Sequence, residues 1–418
     1  MASIVFLVDY EEGHVLPTFG LAQSLQKRGH DINYIGIHDL KELVIANGFK
    51  FHVIDEASYP KEISRKFKEA QRNYGISPKI FFYDIVEDEI CDLLLKINPN
   101  VVIVNTFLSL EALLISYFLN IKPVIFTPYF LPRNSPRVEC MQYLYFLSTT
   151  NVLKLLNYYM EVWSGTSLTT SNSTKLKDLL TREILDKFLS PLDEFTEIVA
   201  CPQQFDYSIE IKKSNTFYIE PSIRKETYIA NRSFIFNLHK ESRKIIYASM
   251  GSQNLRIATE CEKIFRKLIG VMNSAAMQDH FLILSTGTDL KFADLHPLPE
   301  NIKIFEWVSQ IEVLKFCKVA IIHGGFNSVK ECIFYGVPMI IFPMGYDQPE
   351  NANRVEFHGL GVQENYKTIT EEKLALMIIH LSESKKVKQN ISKMQEIFWE
   401  KESDQEGVLL IEKIAANN

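Results

Sequence analysis

The stretch from Val319 to Asn353 constrains this chain more than any other. An apolar tetrapeptide, Val319-Ala320-Ile321-Ile322, runs into the turn His323-Gly324-Gly325-Phe326-Asn327-Ser328. A helical segment carrying Glu331 follows, then a second apolar run from Val337 to Phe342, then Pro343 and a polar loop holding Asp347, Gln348 and Asn351 to Asn353. Strand, glycine turn, helix, strand and polar loop make a βαβ unit whose polar residues fall at the carboxyl ends of its strands, where open α/β sheets bind ligands. A helix that starts just after two glycines offers free N–H groups and the positive end of its dipole, which suits a diphosphate. The turn is neither GxGxxG nor GxxxxGK[ST], so it is neither a dinucleotide fingerprint nor a P-loop.

The rest of the chain repeats the pattern. Ile4–Val8, Ile32–Ile37, Phe51–Ile54, Val101–Val104, Val124–Phe126, Ile198–Ala200 and Phe217–Ile219 read as strands, with helices expected after Pro17 and over Lys61–Tyr74 and Pro78–Ile97. The pattern restarts with strands at Ile245–Ala248, Phe281–Leu284 and Ile302–Phe305, and ends in helices at Ile369–Ser382, Val387–Phe398 and Glu406–Ala415. A chain of 418 residues exceeds the roughly 250–300 that one core supports. The polar stretch from Arg224 to Arg243 separates the two strand series. These features predict an α/β protein of two tandem, doubly wound parallel-sheet (Rossmann-like) domains facing a cleft. The expected units are residues 1–223, a linker at 224–243, residues 244–400, and a terminal helix at 401–418 that would pack back on the first domain.

Composition narrows the function classes. Apolar residues make up 46% and charged ones 23%, ordinary for a globular protein. A net charge of −6 without a long Lys/Arg run argues against nucleic acid as a partner. The six cysteines (Cys91, Cys140, Cys201, Cys261, Cys317, Cys332) lack CxxC spacing, which fits reduced thiols in a cytoplasmic protein. Ser3 to Val8 has no basic segment before it and reads as a first strand, not a signal peptide. No stretch reaches the roughly 18 apolar residues of a membrane span, so no integral membrane segment is expected.

From Leu298 to Asn353 the order and spacing of Leu298-Pro299-Glu300-Asn301, Trp307-Val308-Ser309-Gln310, His323 to Ser328, Glu331, Gly336-Val337-Pro338, Pro343, Asp347-Gln348 and Asn351-Ala352 resemble a family signature. It is the donor-binding signature of nucleotide-sugar-dependent glycosyltransferases, the family that includes plant secondary-metabolite and bacterial macrolide glycosyltransferases. Gly13-His14 with Pro17, and Ser249-Met250-Gly251-Ser252, fit the same family. The resemblance implies GT-B architecture and inverting transfer of a hexose from a UDP- or dTDP-sugar, with no cofactor beyond that co-substrate.

Carried over by residue, the resemblance implies that Trp307 stacks on the base and Gln310 lies near the base or ribose. Glu331 would accept from ribose hydroxyls. His323, Asn327 and Ser328 would hold the diphosphate together with the amides of the Gly325 turn, assisted by Ser252. Asp347 and Gln348 would bond sugar hydroxyls. His14, on the first strand-to-helix loop, is the candidate general base, since an imidazole with a pKa of about 6.5 is largely neutral at cellular pH. Relatives commonly place an aspartate at the end of the fourth strand to orient that base; this chain has Asn105 there. Three readings follow: an altered dyad using Asn105, a carboxylate from elsewhere (Glu11, Glu12 or Glu111), or an acceptor acidic enough to need little help. The departing diphosphate would be neutralised by the helix after Gly325 and by His323. No metal site is expected, because the Asp-x-Asp that metal-dependent transfer would want is absent from the chain.

Phe107, Phe126, Tyr129, Phe130, Tyr143 and Phe146 follow the fourth and fifth strands and are expected to line a pocket for a lipophilic small-molecule acceptor such as a polyketide, macrolide, phenolic or terpenoid. The alternatives are a transferase of cell-wall or glycolipid biosynthesis and a catalytically impaired nucleotide-sugar-binding protein. A monomer or homodimer is expected.

Overall fold

The computed structural model describes residues 1–9, 11–54, 89–130, 195–207, 215–225, 231–251, 258–287 and 298–417. The expected helix at Lys61–Tyr74, most of that at Pro78–Ile97, and Cys140, Tyr143, Phe146 and Ser252 lie outside the described residues.

The strands are β1 (Ser3–Leu7), β2 (Asp31–Gly36), β3 (Lys50–Val53), β4 (Val101–Asn105), β5 (Val124–Thr127), β6 (Glu197–Val199) and β7 (Thr216–Tyr218), then β8 (Lys244–Ser249), β9 (His280–Ser285), β10 (Ile302–Phe305), β11 (Cys317–Ile322), β12 (Met339–Ile341) and β13 (Gly361–Gln363). The described helices are α1 (Glu12–Val15), α2 (Phe19–Lys27), α3 (Lys41–Ala46), α4 (Cys91–Ile97), α5 (Ser109–Leu119), α6 (Arg232–Asn237), α7 (Ala258–Met272), α8 (Gln310–Leu314), α9 (Phe326–Phe334), α10 (Gln348–Phe357), α11 (Glu371–Glu383), α12 (Lys385–Asp404) and α13 (Glu406–Asn417).

One sheet has the order β3-β2-β1-β4-β5-β6-β7 and the other β10-β9-β8-β11-β12-β13, and the pairings in both are parallel. In each, strand order reverses beside the first strand, between β1 and β4 and between β8 and β11. Those reversals are the topological switch points, where the loops leaving the strand ends splay apart and admit a ligand.

Strands covered on both faces read as unbroken apolar runs, and alternation decides which residue meets which layer. In β1, Val5 and Leu7 pack with Leu94 of α4 and Ile115 of α5. Ile4 and Phe6 face the other way, onto Phe19 and Leu25 of α2 and onto Val408 and Ile411 of α13. The terminal helix thus returns from the second sheet to cover the first, and burying an aliphatic side chain there contributes ~1.5–3 kcal/mol. In the second sheet, Ile246 and Leu282 meet Phe265 of α7 and Ile378 of α11. Its other face packs on Ile333 of α9 and Phe398 of α12, and the same cluster takes in Phe130 and Phe205 from the first half.

Two segments differ from the sequence expectation. The polar loop after Pro343 is largely the helix α10. Its inward residues are mostly polar (Gln348, Glu350, Asn351, Asn353 and Arg354), with Ala352 and Val355 its apolar members, so polar contacts hold much of it and its apolar period is weak. In the expected linker, α6 and the turn after it bury Ile235 and Leu238 against Ile245 and Phe281 of the second half. Polar atoms also join the halves: fully buried Lys330 Nζ donates to the carbonyls of Ala200 at 2.8 Å and Pro221 at 2.9 Å. Burial pushes its pKa down to about 8.

Candidate active site

At the first switch point the chain leaves β1 through Asp9, turns at Glu11 and enters the single-turn helix α1, which carries His14. The Asp9 carboxylate is largely buried and spans this loop. One oxygen accepts the Glu11 N–H at 2.9 Å and the other lies 2.7 Å from His14 Nδ1. The imidazole is 27% exposed and stacks on Phe107, with ring centroids 4.1 Å apart. Burial lowers the His14 pKa, but the charge and hydrogen bond of Asp9, with the charges of Glu11 and of Asp347 from the second half, leave it raised above the ordinary value.

Asn105, at the end of β4, does not bond the imidazole. Its amide oxygen accepts the Phe107 N–H at 3.0 Å and its amide nitrogen donates to the backbone carbonyl of His14 at 3.4 Å. This corrects the expectation of an Asn105–His14 dyad. Asn105 braces the two backbone segments, and the carboxylate on His14 is Asp9, which the sequence reading did not single out.

At the second switch point His323 leaves β11 between two glycine turns. Gly251 has φ +79°, and a Cβ there would lie 2.6 Å from His323 Cε1; a Cβ on Gly325 would lie 2.5 Å from Nε2. Only hydrogen at both positions leaves room for the ring. Surrounded this closely, His323 has its pKa pushed down to about 4. With that pKa the ring is neutral in the free protein and can donate a hydrogen bond to a phosphate, whose charge would in turn favour the protonated ring. The charge-favouring element left there is the amino end of α9, whose first N–H groups have no acceptor within the helix.

Glu331, 2% exposed, anchors a polar network one turn further along α9. It is paired with Arg224, accepts from Gln310 Nε2 at 2.5 Å and from Asn327 Nδ2 at 3.4 Å. Gln310 also donates to Ser328 Oγ at 3.2 Å and accepts from Tyr247 Oη at 3.1 Å. Gln310, Asn327, Ser328 and Glu331 are therefore brought together, with Asn327 turned toward the carboxylate and Ser328 toward the Gln310 amide. Arg224, from the edge of the linker, joins a cluster in which the sequence reading had no place for it.

Trp307 stands 55% exposed beyond β10, its carbonyl held by Asn231 Nδ2 at 2.7 Å. Asp347 accepts from Asn351 at 2.8 Å and its pKa is raised, chiefly by burial. Gln348 folds its amide oxygen back onto the N–H groups of Met344 and Gly345, at 2.8 and 3.2 Å, leaving its amide N–H2 for other partners.

The aromatic expectation needs correction at two positions. Phe126 is fully buried in the core of the first sheet among Phe6, Ile103 and Ile198. Phe130 is buried between the halves, edge-to-face with Phe326 at 5.0 Å and beneath the Arg354 guanidinium at 4.8 Å. Phe107 stays beside His14, with buried Tyr129 behind it at 5.5 Å. Among the described residues no group of three or more His, Cys, Asp or Glu could hold a metal ion, and no helix is long and apolar enough to cross a membrane.

Residues 286–405 match the family model described as UDP-glucoronosyl and UDP-glucosyl transferase. The chain is 23% identical over 380 residues to the uncharacterized UDP-glucosyltransferase YojK of Bacillus subtilis (strain 168), over 90% of this chain and 87% of that one. It is 24% identical over 399 residues to the NDP-glycosyltransferase YjiC of the same organism, over 92% and 90% of the two chains. The solved glycotransferase of kitacinnamycin shares the fold with a TM-score of 0.72, at 19% identity over 99% of both chains. From just after β9 to just after α12 the chain thus carries a domain of the UDP-glucoronosyl and UDP-glucosyl transferase family, set in a GT-B two-sheet fold shared from end to end with solved glycosyltransferases.

Proposed function

We propose that the protein moves a hexose from a UDP- or dTDP-sugar to a hydroxyl of a lipophilic small molecule, with inversion and with His14 as general base. The observation that carries this reading is the meeting of the two halves at His14: Asp347, from the loop after β12, lies close enough to raise its pKa. The carboxylate that would hold the sugar thus acts electrostatically, across the two halves, on the imidazole that would take the proton.

In this reading His14 Nε2 takes the proton of the acceptor hydroxyl as that oxygen bonds to the anomeric carbon. The bond from that carbon to the diphosphate breaks, and its electron pair departs with the nucleoside diphosphate. Attack from the face opposite the leaving group inverts the centre. The amino end of α9 and an N–H of neutral His323 receive the diphosphate, and Asp347 and the Gln348 amide hold sugar hydroxyls. Glu331 has partners on both oxygens, so a ribose would share it with, or displace, Arg224. Phe107 offers an apolar wall beside the base. The description of YojK as a UDP-glucosyltransferase supports a UDP-sugar. The reading as an impaired binding protein rested on Asn105, and the Asp9 carboxylate beside His14 weighs against it.

Thermal shifts with UDP, dTDP and their hexose conjugates test the donor, since a ligand at 100 times Kd adds about 2.7 kcal/mol of stability; no shift with any of the four would overturn the reading. The product anomer, read by NMR, tests inversion. Trp307→Ala is expected to weaken nucleotide binding by roughly 1–3 kcal/mol, about 5- to 150-fold in Kd, with little change in the rate at saturating donor; isothermal calorimetry checks it. Transfer is expected to continue in EDTA, and activity lost in EDTA and restored by Mg²⁺ or Mn²⁺ would contradict a metal-independent mechanism.

A further inference from the structure

We infer that Asp9 is the carboxylate that orients His14 and supports its imidazolium, a duty that Asn105 cannot perform from the end of β4. The inference rests on the reading of His14 as the base and adds which group makes it one.

The geometry separates the two residues. Asn105 spends its amide on backbone atoms, the Phe107 N–H and the His14 carbonyl. Asp9 is 2.7 Å from Nδ1, largely buried, and pinned by the Glu11 N–H through its second oxygen. A carboxylate only accepts hydrogen bonds, so the proton of the neutral imidazole must sit on Nδ1, which leaves the Nε2 lone pair for the acceptor hydroxyl. When Nε2 takes that proton the ring becomes cationic, and a carboxylate held this close stabilises it as an amide cannot. Phe107 fixes the ring plane from the side, at 4.1 Å between centroids. The other charged groups that act on the ring are Glu11, from its own loop, and Asp347, from the second half.

Asp9→Asn is the discriminating variant, because its amide oxygen can still take the Glu11 N–H and keep the loop. If the amide nitrogen then donates to Nδ1, the imidazole is forced into the opposite tautomer and the charge is gone. NMR titration of His14 in the full-length chain, without substrates, should show the neutral ring protonated on Nδ1 in the wild type. In Asp9→Asn the pKa should fall by roughly 1–3 units, and Asp9→Glu should recover part of that fall. Initial rates with UDP-glucose should fall further for 4-nitrobenzyl alcohol, which must be deprotonated in the transfer, than for 4-nitrophenol, which ionises readily. An Nε2–H tautomer in the wild type, an unmoved pKa in Asp9→Asn, or equal losses with both acceptors would overturn the inference. The tautomer reading stands even if Asp9→Asn fails to fold. His14→Ala separates this from the underlying proposal: if it retains transfer, the base assignment fails. If it abolishes transfer while Asp9→Asn leaves the His14 titration unmoved, the role of Asp9 alone fails.

Discussion

His14→Ala is expected to lower transfer to an alcohol by about 10²–10⁴-fold, the span a positioned general base contributes, while nucleotide binding stays as in the wild type. Of the proposed donor-side groups, Trp307 is bonded by Asn231 and Gln310 bonds Glu331 and Tyr247, so removing the imidazole takes none of these bonds. The pH profile follows from the same contacts. As the proposed base His14 would work only when neutral, and Asp9, Glu11 and Asp347 outweigh burial to raise its pKa above the ordinary 6.5. The kcat/KM of the wild type should therefore climb with pH through a value above 6.5 and then level off. Folding shares the linkage: the stability contributed by protonated His14 is fully present below the unfolded value of about 6.5 and is lost as pH rises through the higher folded value. A rate within about tenfold of wild type in His14→Ala would remove the residue from the chemistry.

Much of the scaffold is legible in the sequence because parallel strands covered on both faces need continuous apolar runs, and Ile4–Val8, Val101–Val104 and Val319–Ile322 are such runs. The glycine turn before α9 is legible because few residues fit where His323 crowds Gly251 and Gly325. What is hidden shares a different cause: polar groups that are buried by pairing. The inward side of α10 is mostly Gln348, Glu350, Asn351, Asn353 and Arg354, with only Ala352 and Val355 apolar, and a helix with so polar a core face shows little apolar period. The Asp9–His14 contact is hidden because it crosses a turn and a single-turn helix, where five residues of separation correspond to no face of a regular element. The useful signal was a carboxylate just past the end of the strand that leads to the histidine loop. Arg224 is hidden because its partner Glu331 is 107 residues away, and sequence alone makes a linker arginine look like a solvated one. Phe126 and Phe130 mislead in the opposite sense, since an aromatic at a strand end fills a core or an interdomain seam as readily as a pocket.

The buried polar seam is where the largest loss of stability is expected. Arg354 is 1% exposed, donates to Asp206 across the halves at 3.0 Å, lies 3.9 Å from Glu350, and is sandwiched between Phe130 and Tyr207 with its guanidinium 4.8 and 4.7 Å from the two ring centroids. Removing one member of a buried pair leaves the other charge in low dielectric and costs about 3–5 kcal/mol, so Arg354→Ala should lower stability by that amount in urea unfolding. Asp206→Asn with Arg354→Met removes both charges of the 3.0 Å pair, leaves only the more distant Glu350 carboxylate, and keeps an unbranched side chain between the rings. That double variant should recover much of the loss, because a buried ion pair adds little over apolar groups of similar volume. Arg354 also ties the helix that begins at Gln348 to Asp206 of the first half. If the seam sets that helix, Arg354→Ala should raise the donor KM more than Arg354→Met/Asp206→Asn does, with both measured well below their unfolding transitions. Equal donor KM values in the two variants would assign the seam to stability alone and leave the placing of Asp347 and Gln348 to their own loop, through Asn351 and the Met344 and Gly345 amides.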